Sequence, residues 1–405
     1  MDPVEVGLEH EFAVVRDGGR VDFRTLIYGL DLPGRAIDPG DRFAHRLESG
    51  AVVTCDDAEA EAATPPVALE PGWTAALTQW ATSAATSLVR ALPDASLAGW
   101  STHLSVTADT DHVARVCGLF SRTFAPALMM LMEQRNGEGL LMRPRWRRIE
   151  FGGDYASGAA LRAAAAMAAG GALVCLDVAR GQRSKRALPP AVKVDVKPAA
   201  ERYGWYVDRR AFGFDLIERG RDCLLRREYY GSIRGQRQLE VAWSVAREAL
   251  VAVSSEHDLA AADAMVAGDV ALPLERRPWR APMVTEPPVA MQHPLGSAVE
   301  LHTDGVLEIF AVAVTWDYVA FRVSGAETGV WAVPRRELPG AIAHIRDGDV
   351  APILAQCRRD ELLDSYDQAV EGGFYTDLVP GRKLAPPEPG RDGVFRLASG
   401  RQRSP

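Results

Sequence analysis

In Gly7-Leu8-Glu9-His10-Glu11-Phe12, charged and apolar side chains alternate with a period of two, which is the period of a β-strand. On such a strand Glu9 and Glu11 share one face, while Leu8, His10 and Phe12 share the other. Further stretches with the same character are Asp56-Asp57-Ala58-Glu59-Ala60-Glu61, Thr102-His103-Leu104-Ser105-Val106 and Arg148-Ile149-Glu150-Phe151. A sheet wall that stacks several carboxylates and a histidine is costly through like-charge repulsion unless a cation neutralises it. A hard metal ion bearing a phosphorylated ligand is the simplest use for that wall.

The chain has 405 residues, 47% of them hydrophobic and 25% charged, a composition that fits globular folding with one large domain and a smaller one. The net charge of -8 argues against nonspecific nucleic-acid binding, which needs basic excess. Met1-Asp2-Pro3-Val4 lacks a basic segment followed by an apolar core, so a cytoplasmic protein without a secretory signal is expected. The longest apolar run, Ala163 to Leu176, is interrupted by Gly170-Gly171 and reads as too short to cross a bilayer. Cys55, Cys117, Cys175, Cys223 and Cys357 are scattered without a C-x-x-C pair, which suits reduced thiols. Cys55 borders the acidic segment, where a small buried filler is the ordinary reading.

Residues 4–15 alternate as a strand, and 46–63 read as a strand pair turning at Ser49-Gly50. Thr64-Pro65-Pro66 ends that ladder. Trp73, Leu77, Trp80, Ala84, Leu88 and Leu92 recur at helical spacing up to Pro93. A strand over 100–107 precedes a helix from about Asp111 to Glu133, capped by Thr110 or Asp109 and interrupted at Pro126. Arg143 to Phe151 reads as one strand, followed by an alanine-rich helix over roughly 159–169. A hairpin over 191–197 and 203–208 and an amphipathic helix over Leu239–Val253 come next. Strands and helices alternate irregularly, which predicts an α+β fold. Prolines crowd 271–294 as a linker, and 297–334 suggests an antiparallel meander turning at Thr303-Asp304-Gly305. A helix over 350–370 would complete a small C-terminal domain at 295–375, with a loosely held tail at 376–405. The domain reading is therefore 1–270, a linker, 295–375 and the tail.

Glu9 and Glu11 would stand about 6.6 Å apart along their face, a span that divalent ions bridge. Taken alone, an E-x-E strand is more commonly a solvated face. In the second segment, Asp57, Glu59 and Glu61 share a face and Asp56 lies on the other, unless a bulge re-aims it; a surface edge strand also looks like this. His103 and Ser105 point away from Leu104 and Val106, and a lone histidine there is more often structural than a ligand. Arg143, Arg145, Arg147 and Arg148 surround Glu150 in sequence. They read either as a solvated basic edge or as guanidinium forks for phosphate oxygens.

The order of these motifs resembles the glutamine-synthetase-like carboxylate–amine ligases. Gly-x-Glu-x-Glu-Phe comes first, then an acidic strand ending in Thr-Pro-Pro, a histidine strand, and Arg-x-Glu. That superfamily includes the glutamate–cysteine ligases and the ligase and deamidase that act on the prokaryotic ubiquitin-like protein. The stretch from Ser49 to Pro66 looks most like the latter pair. Glu59 stands where that pair has histidine, Pro66 where it has a final glutamate, and Ser101 where glutamine synthetase has the first histidine of its His-x-His-x-Ser strand. The resemblance covers roughly residues 4–170.

The resemblance implies a curved, mainly antiparallel sheet with helices on its outer face. It also implies metal ligation by Glu9, Glu11, Glu61, His103 and Glu150, catalysis by Asp56 and Arg148, and contact of Arg148 with nucleotide phosphates, beside which Arg143, Arg145 and Arg147 are the further nucleotide-binding candidates. ATP and Mg²⁺ are the implied cofactors, and the implied reaction joins a carboxylate to an amine through an acyl phosphate. Its substrates would be a small carboxylate such as glutamate with an amine, or a protein or peptide; neither nucleic acid nor membrane is expected, and oligomerisation stays open. An amide hydrolase that retains its nucleotide is the competing enzyme, and an inactive nucleotide-binding scaffold is the third reading.

Overall fold

The computed structural model describes residues 4–32, 34–36, 45–47, 51–109, 111–134, 137, 139–145, 147–194, 196–199, 204–210, 215–276, 300–303, 308–314, 316, 318–324, 329–334, 337–347, 358–359, 388–389 and 395–396. The fold is α+β, organised by a 12-stranded sheet. Its first strands are β1 (Glu5–Arg16), β2 (Gly19–Val21), β3 (Gly34–Ala36), β4 (His45–Leu47), β5 (Val52–Asp56), β6 (Glu59–Ala63) and β7 (Val67–Ala68). After helix α1 (Trp73–Ala91) come β8 (Ser96–Thr107), α2 (Val113–Thr123), α3 (Ala125–Met132), β9 (Gly139–Arg145) and β10 (Arg148–Asp154). Helix α4 (Gly158–Arg180) then leads to β11 (Val196–Ala199) and β12 (Gly204–Asp208). The order across the sheet is β11-β12-β9-β10-β8-β1-β6-β5-β4-β3, with β2 and β7 also paired to β1. Every pairing in it is antiparallel.

The apolar face of the sheet meets the helices. Leu8, Phe12, Ala60, Ala62, Leu104, Val106, Ile149 and Phe151 are all buried. Phe120 of α2 packs on Phe151 with ring centroids 4.3 Å apart. His10 joins this apolar side: its Nε2 donates to the Ala156 carbonyl at 3.1 Å, and its ring lies 4.6 Å from that of Tyr155. Burial, offset in part by that carbonyl, lowers its pKa to about 3, so His10 is a neutral core residue. The remaining segments include α5 (Leu216–Arg219), the hairpin β13 (Leu224–Arg226) and β14 (Ser232–Arg234), α6 (Gly235–Leu250) and α7 (Glu256–Ala267).

Several sequence expectations shift here. The stretch from Arg143 to Phe151 is a hairpin, with Arg147 in left-handed backbone at φ +57° between β9 and β10. The acidic segment likewise folds back, with Asp57 at φ +49° between β5 and β6. The helix expected over 159–169 runs on through Gly170-Gly171 to Arg180. A Cβ at Gly170 would stand 2.6 Å from the Ala246 carbonyl oxygen, and one at Gly171 would stand 2.8 Å from Phe120. These glycines therefore admit α6 and α2 to close range rather than ending the helix. Helix α4 is long and apolar enough to cross a membrane, but most of it is buried within the fold, as a core helix is. Pro126 does separate α2 from α3, although α2 begins after His112 rather than at the expected cap.

A separate antiparallel sheet comprises β15 (Glu300–Thr303), β16 (Glu308–Val314), β17 (Tyr318–Ser324), β18 (Gly329–Pro334) and β19 (Arg358–Arg359), with α8 (Leu338–Arg346) between the last two strands. The meander expected over 297–334 is present. Of the helix expected over 350–370, the described residues are Arg358 and Arg359, and these are strand, paired with Val330 and Gly329. Ser49-Gly50, Asp304-Gly305 and most of 271–294 lie outside the described residues, as does most of the tail apart from the short pair β20 (Glu388–Pro389) and β21 (Phe395–Arg396).

Candidate metal and phosphate site

The register of the central strands assembles the polar face. Glu9 lies opposite His103, and Glu11 opposite Ser101, in the β1–β8 ladder. On the other side of β1, Glu11 lies opposite Glu61. In the β8–β10 ladder Glu150 faces Ser105 and Gly152 faces His103, and in the β9–β10 hairpin Glu150 faces Arg143 and Arg148 faces Arg145. Directly opposed residues project to the same face, so strands distant in sequence deliver their charged side chains to one wall.

Two clusters form on that wall. Glu9, His103 and Glu150 each offer a ligand atom within 4.8 Å of the others, and so do Glu11, Asp56 and Glu61. His103 links them: its Nδ1 is 3.5 Å from Glu9 Oε2, and its Nε2 is 3.6 Å from Glu11 Oε1. Ser101 Oγ donates to Glu11 Oε2 at 2.5 Å. Gly152 gives the imidazole its space, because a Cβ there would stand 2.7 Å from His103 Cδ2.

Asp56 reaches the second cluster through the tight fold-back at Asp57. Strict alternation sets Asp56 on the face opposite Glu61 unless the chain is re-aimed; a reversal between them does this, and strand pairing sets Asp56 across from Glu59 and Thr54 across from Glu61, all on one side. Asp57 sits in the turn instead of sharing that face. Glu59 is engaged elsewhere, in an ion pair with Arg20, whose guanidinium covers Trp100 at 4.3 Å.

The arginines divide. Arg145 Nε donates to Glu150 Oε2 at 2.9 Å, and Arg143 donates to Glu150 Oε1 while its Nη2 lies 3.2 Å from His103 Nδ1. Arg148 is on the same face of β10, two residues before Glu150, and is 5% exposed. Arg147, in the turn, contributes its carbonyl to the Ala108 amide at 2.8 Å, and its charge acts on Asp109. Thus Arg143, Arg145 and Arg148 meet at the wall, and Arg147 stands apart.

Electrostatics separate the acids. Burial, then the neighbouring charges of Glu9, Glu11 and Asp56, push the Glu61 carboxyl well above its ordinary range. Burial also raises Glu11, against the pull of His103 and Ser101. Glu150 behaves oppositely: burial would raise it, but Arg143 and Arg145 with His103 and Arg148 hold it far below the usual carboxylate range. Burial disfavours the imidazolium of His103, yet Glu11 and Glu9 raise its pKa on balance. Glu61 therefore carries the strongest repulsion, from Glu9, Glu11 and Asp56, and oxygen donors crowded in that way are the donor set of a hard divalent cation. On this ground the residues fit Mg²⁺.

A groove of about 520 Å³ lies elsewhere, lined by Arg115, Arg122, Lys185, Arg186, Arg227 and Tyr229 among others, and includes none of the wall residues. The sequence motifs gave no sign of it, because its basic residues come from separate segments.

No family model matches the chain, and no curated protein matches it in sequence. Among solved structures, one described as the complex between the prokaryotic ubiquitin-like protein Pup and its ligase PafA matches with a TM-score of 0.41 and 9% identity. The alignment covers 66% of this chain and 65% of that one. At this score it is a distant likeness of fold, and it carries no information on activity.

Proposed function

We propose that the protein is an ATP- and Mg²⁺-dependent carboxylate–amine ligase. The observation that carries the reading is the convergence of Glu9, His103 and Glu150 beside Glu11, Asp56 and Glu61 on the wall that also bears Arg143, Arg145 and Arg148. Glu9, His103 and Glu150 would hold one cation, and Glu11 and Glu61 a second, with Asp56 beside them at the exposed rim. Bound there, Mg²⁺ would neutralise the triphosphate and the departing phosphate.

The chain's own groups account for the remaining chemistry. A substrate carboxylate oxygen attacks the γ-phosphorus of ATP, the bond to the β-phosphate oxygen breaks, and ADP leaves. Arg148 would stabilise charge on the transferring phosphoryl group. Arg143 and Arg145 fix Glu150 in its ionised form and in one orientation. The amine nitrogen then attacks the acyl carbon and inorganic phosphate departs. Asp56, the exposed member of its cluster, accepts the proton lost by the amine, as a general base at the rim.

The test is incubation with Mg-ATP and panels of carboxylates and amines, with glutamate among the carboxylates and peptides in both panels. ADP formed in step with a new amide mass is the expected result. Ammonia released from amides without ADP would make the chain a hydrolase instead, and an absence of nucleotide binding would remove both readings.

A further inference from the structure

Among the described residues of the small sheet and its connections, Trp316 reaches the wall. Trp316 lies at the turn between β16 and β17, and its ring stands over Arg148, with the guanidinium carbon 5.3 Å from the ring centroid. The same ring occupies the place of an absent side chain on β1. Gly7 is two residues before Glu9 and so projects toward the same face. A Cβ at Gly7 would stand 2.6 Å from Trp316 Cζ2 and 3.4 Å from Cε2.

The three residues adjoin the first metal cluster. Gly7 pairs with Ser105, which on its other side pairs with Glu150, and Arg148 pairs with the next residue of that face, Thr107. Trp316 therefore covers the end of the wall beyond Glu9 and Glu150. Val319 and Phe321 of β17 are buried, whereas Trp316 lies outside both strands and is half-buried. A large aromatic outside the strands, inserted over a glycine and an arginine of another sheet, has a contact role and not a core role.

We infer that Trp316 is a positioning residue for Arg148, so that the small C-terminal sheet completes the phosphate end of the site. The inference rests on the proposed ligase function for its nucleotide. Its physical basis is that arginine stacks on an aromatic face while leaving the in-plane N–H donors available for phosphate oxygens. A guanidinium held over an indole loses less freedom on binding than one on a loose stem. Gly7 is the complementary device, because only a residue without Cβ admits the ring there.

The experiment compares Trp316→Phe, Trp316→Leu, Trp316→Ala, Gly7→Ala and the Gly7→Ala/Trp316→Ala double variant of the full chain. Direct Mg-ATP binding, measured by calorimetry, is expected to weaken about tenfold in Trp316→Ala and Trp316→Leu, with most of the affinity retained in Trp316→Phe, as expected for the loss of a ring–cation contact. Gly7→Ala is expected to reproduce the Trp316→Ala defect, and the double variant to bind no worse than Trp316→Ala. The melting temperatures of the same variants form a cycle that needs no nucleotide: non-additivity supports the Gly7–Trp316 contact, and strict additivity overturns it. Wild-type binding with unchanged Trp316→Ala affinity would overturn the positioning role while sparing the ligase reading. If the wild type itself bound no Mg-ATP, the ligase reading would fall and the nucleotide role of Trp316 with it.

Discussion

Gly152 lies directly opposite His103 in the β8–β10 ladder, and the imidazole occupies the volume that any larger residue at 152 would fill. An added Cβ would stand 2.7 Å from Cδ2 and 3.0 Å from Nε2, closer than such atoms approach without movement. Gly152→Ala should rotate His103 away from Glu9 and Glu11 without exposing the core. Disturbing the seat of a ligand typically weakens metal binding by roughly 10–100-fold. Titration with Mn²⁺ followed by calorimetry should show a loss of that order, with the circular dichroism spectrum unchanged. Undiminished binding would remove His103 from the metal site.

Glu61 and Glu11 are directly paired across β6 and β1, and the carboxyl of Glu61 is pushed up first by burial and then by Glu9 and Glu11. Replacing it with the neutral isostere removes repulsion and a ligand together. Glu61→Gln should therefore melt higher than wild type without divalent metal, by a few degrees for relief on the order of 1 kcal/mol. In millimolar Mg²⁺ the ranking should reverse, because wild type gains stability from the bound ion and the variant gains less. Melting curves with EDTA and with Mg²⁺ measure both halves. A variant that gains as much from Mg²⁺ as wild type would mean that Glu61 holds no ion.

The side-chain faces of single strands were legible because alternation alone assigns them: Glu9 and Glu11 against Leu8 and Phe12, and Arg148 and Glu150 against Ile149 and Phe151. The irregular succession of strands and helices carried the α+β class. Chain reversals were harder. Asp57 and Arg147 turn in left-handed backbone without the glycine that usually marks such turns. Alternation by itself therefore sets Asp56 on the opposite face unless the chain is re-aimed, and joins Arg143 to Glu150 in one strand. Gly170-Gly171 misled in the opposite sense, since local propensity registers their cost in a helix but not the neighbours they admit. Trp316 over Arg148 is a contact across 168 positions of sequence, and no local pattern encodes it.

Gly170 of α4 approaches α6 so closely that an added methyl would stand 2.6 Å from the Ala246 carbonyl oxygen and 2.8 Å from its Cβ. Alanine is the better helix former, by about 1 kcal/mol at exposed positions. Here the neighbour is backbone, which cannot swing aside, so overpacking decides the sign. Gly170→Ala should lower stability by roughly 1–3 kcal/mol, read from urea unfolding. Gly181, at φ +78° after α4 and with no neighbour within 4 Å of a built Cβ, supplies the contrast. Gly181→Ala should cost about 1 kcal/mol from backbone conformation alone. A stabilised Gly170→Ala would show that α4 and α6 are further apart.

Asp258 joins the start of α7 to the start of α1. Its carboxylate accepts from the Gly72 amide at 2.8 Å, the Thr74 amide at 3.0 Å and Thr74 Oγ1 at 2.8 Å. It also accepts from the Ser255 amide at 2.8 Å and Ser255 Oγ at 2.6 Å, closing the capping box. Burial opposes the charge, but the bonds from Ser255, Gly72 and Thr74 prevail and lower its pKa from 3.8. A carboxylate depressed by folding adds stability above its unfolded pKa and loses that contribution as pH falls through its folded value. Between pH 7 and 5, Asp258 should thus stabilise fully, and its share should fall away progressively as the pH drops below about 4. Asp258→Ala, which leaves buried donors unmatched, should cost roughly 3 kcal/mol at neutral pH. The gap between wild type and Asp258→Asn in urea unfolding should narrow as pH falls from 6 to 3, because protonation of the acid progressively removes the charge that the amide lacks. A gap that stays constant across that range would mean that the Asp258 charge contributes nothing to joining the two helices.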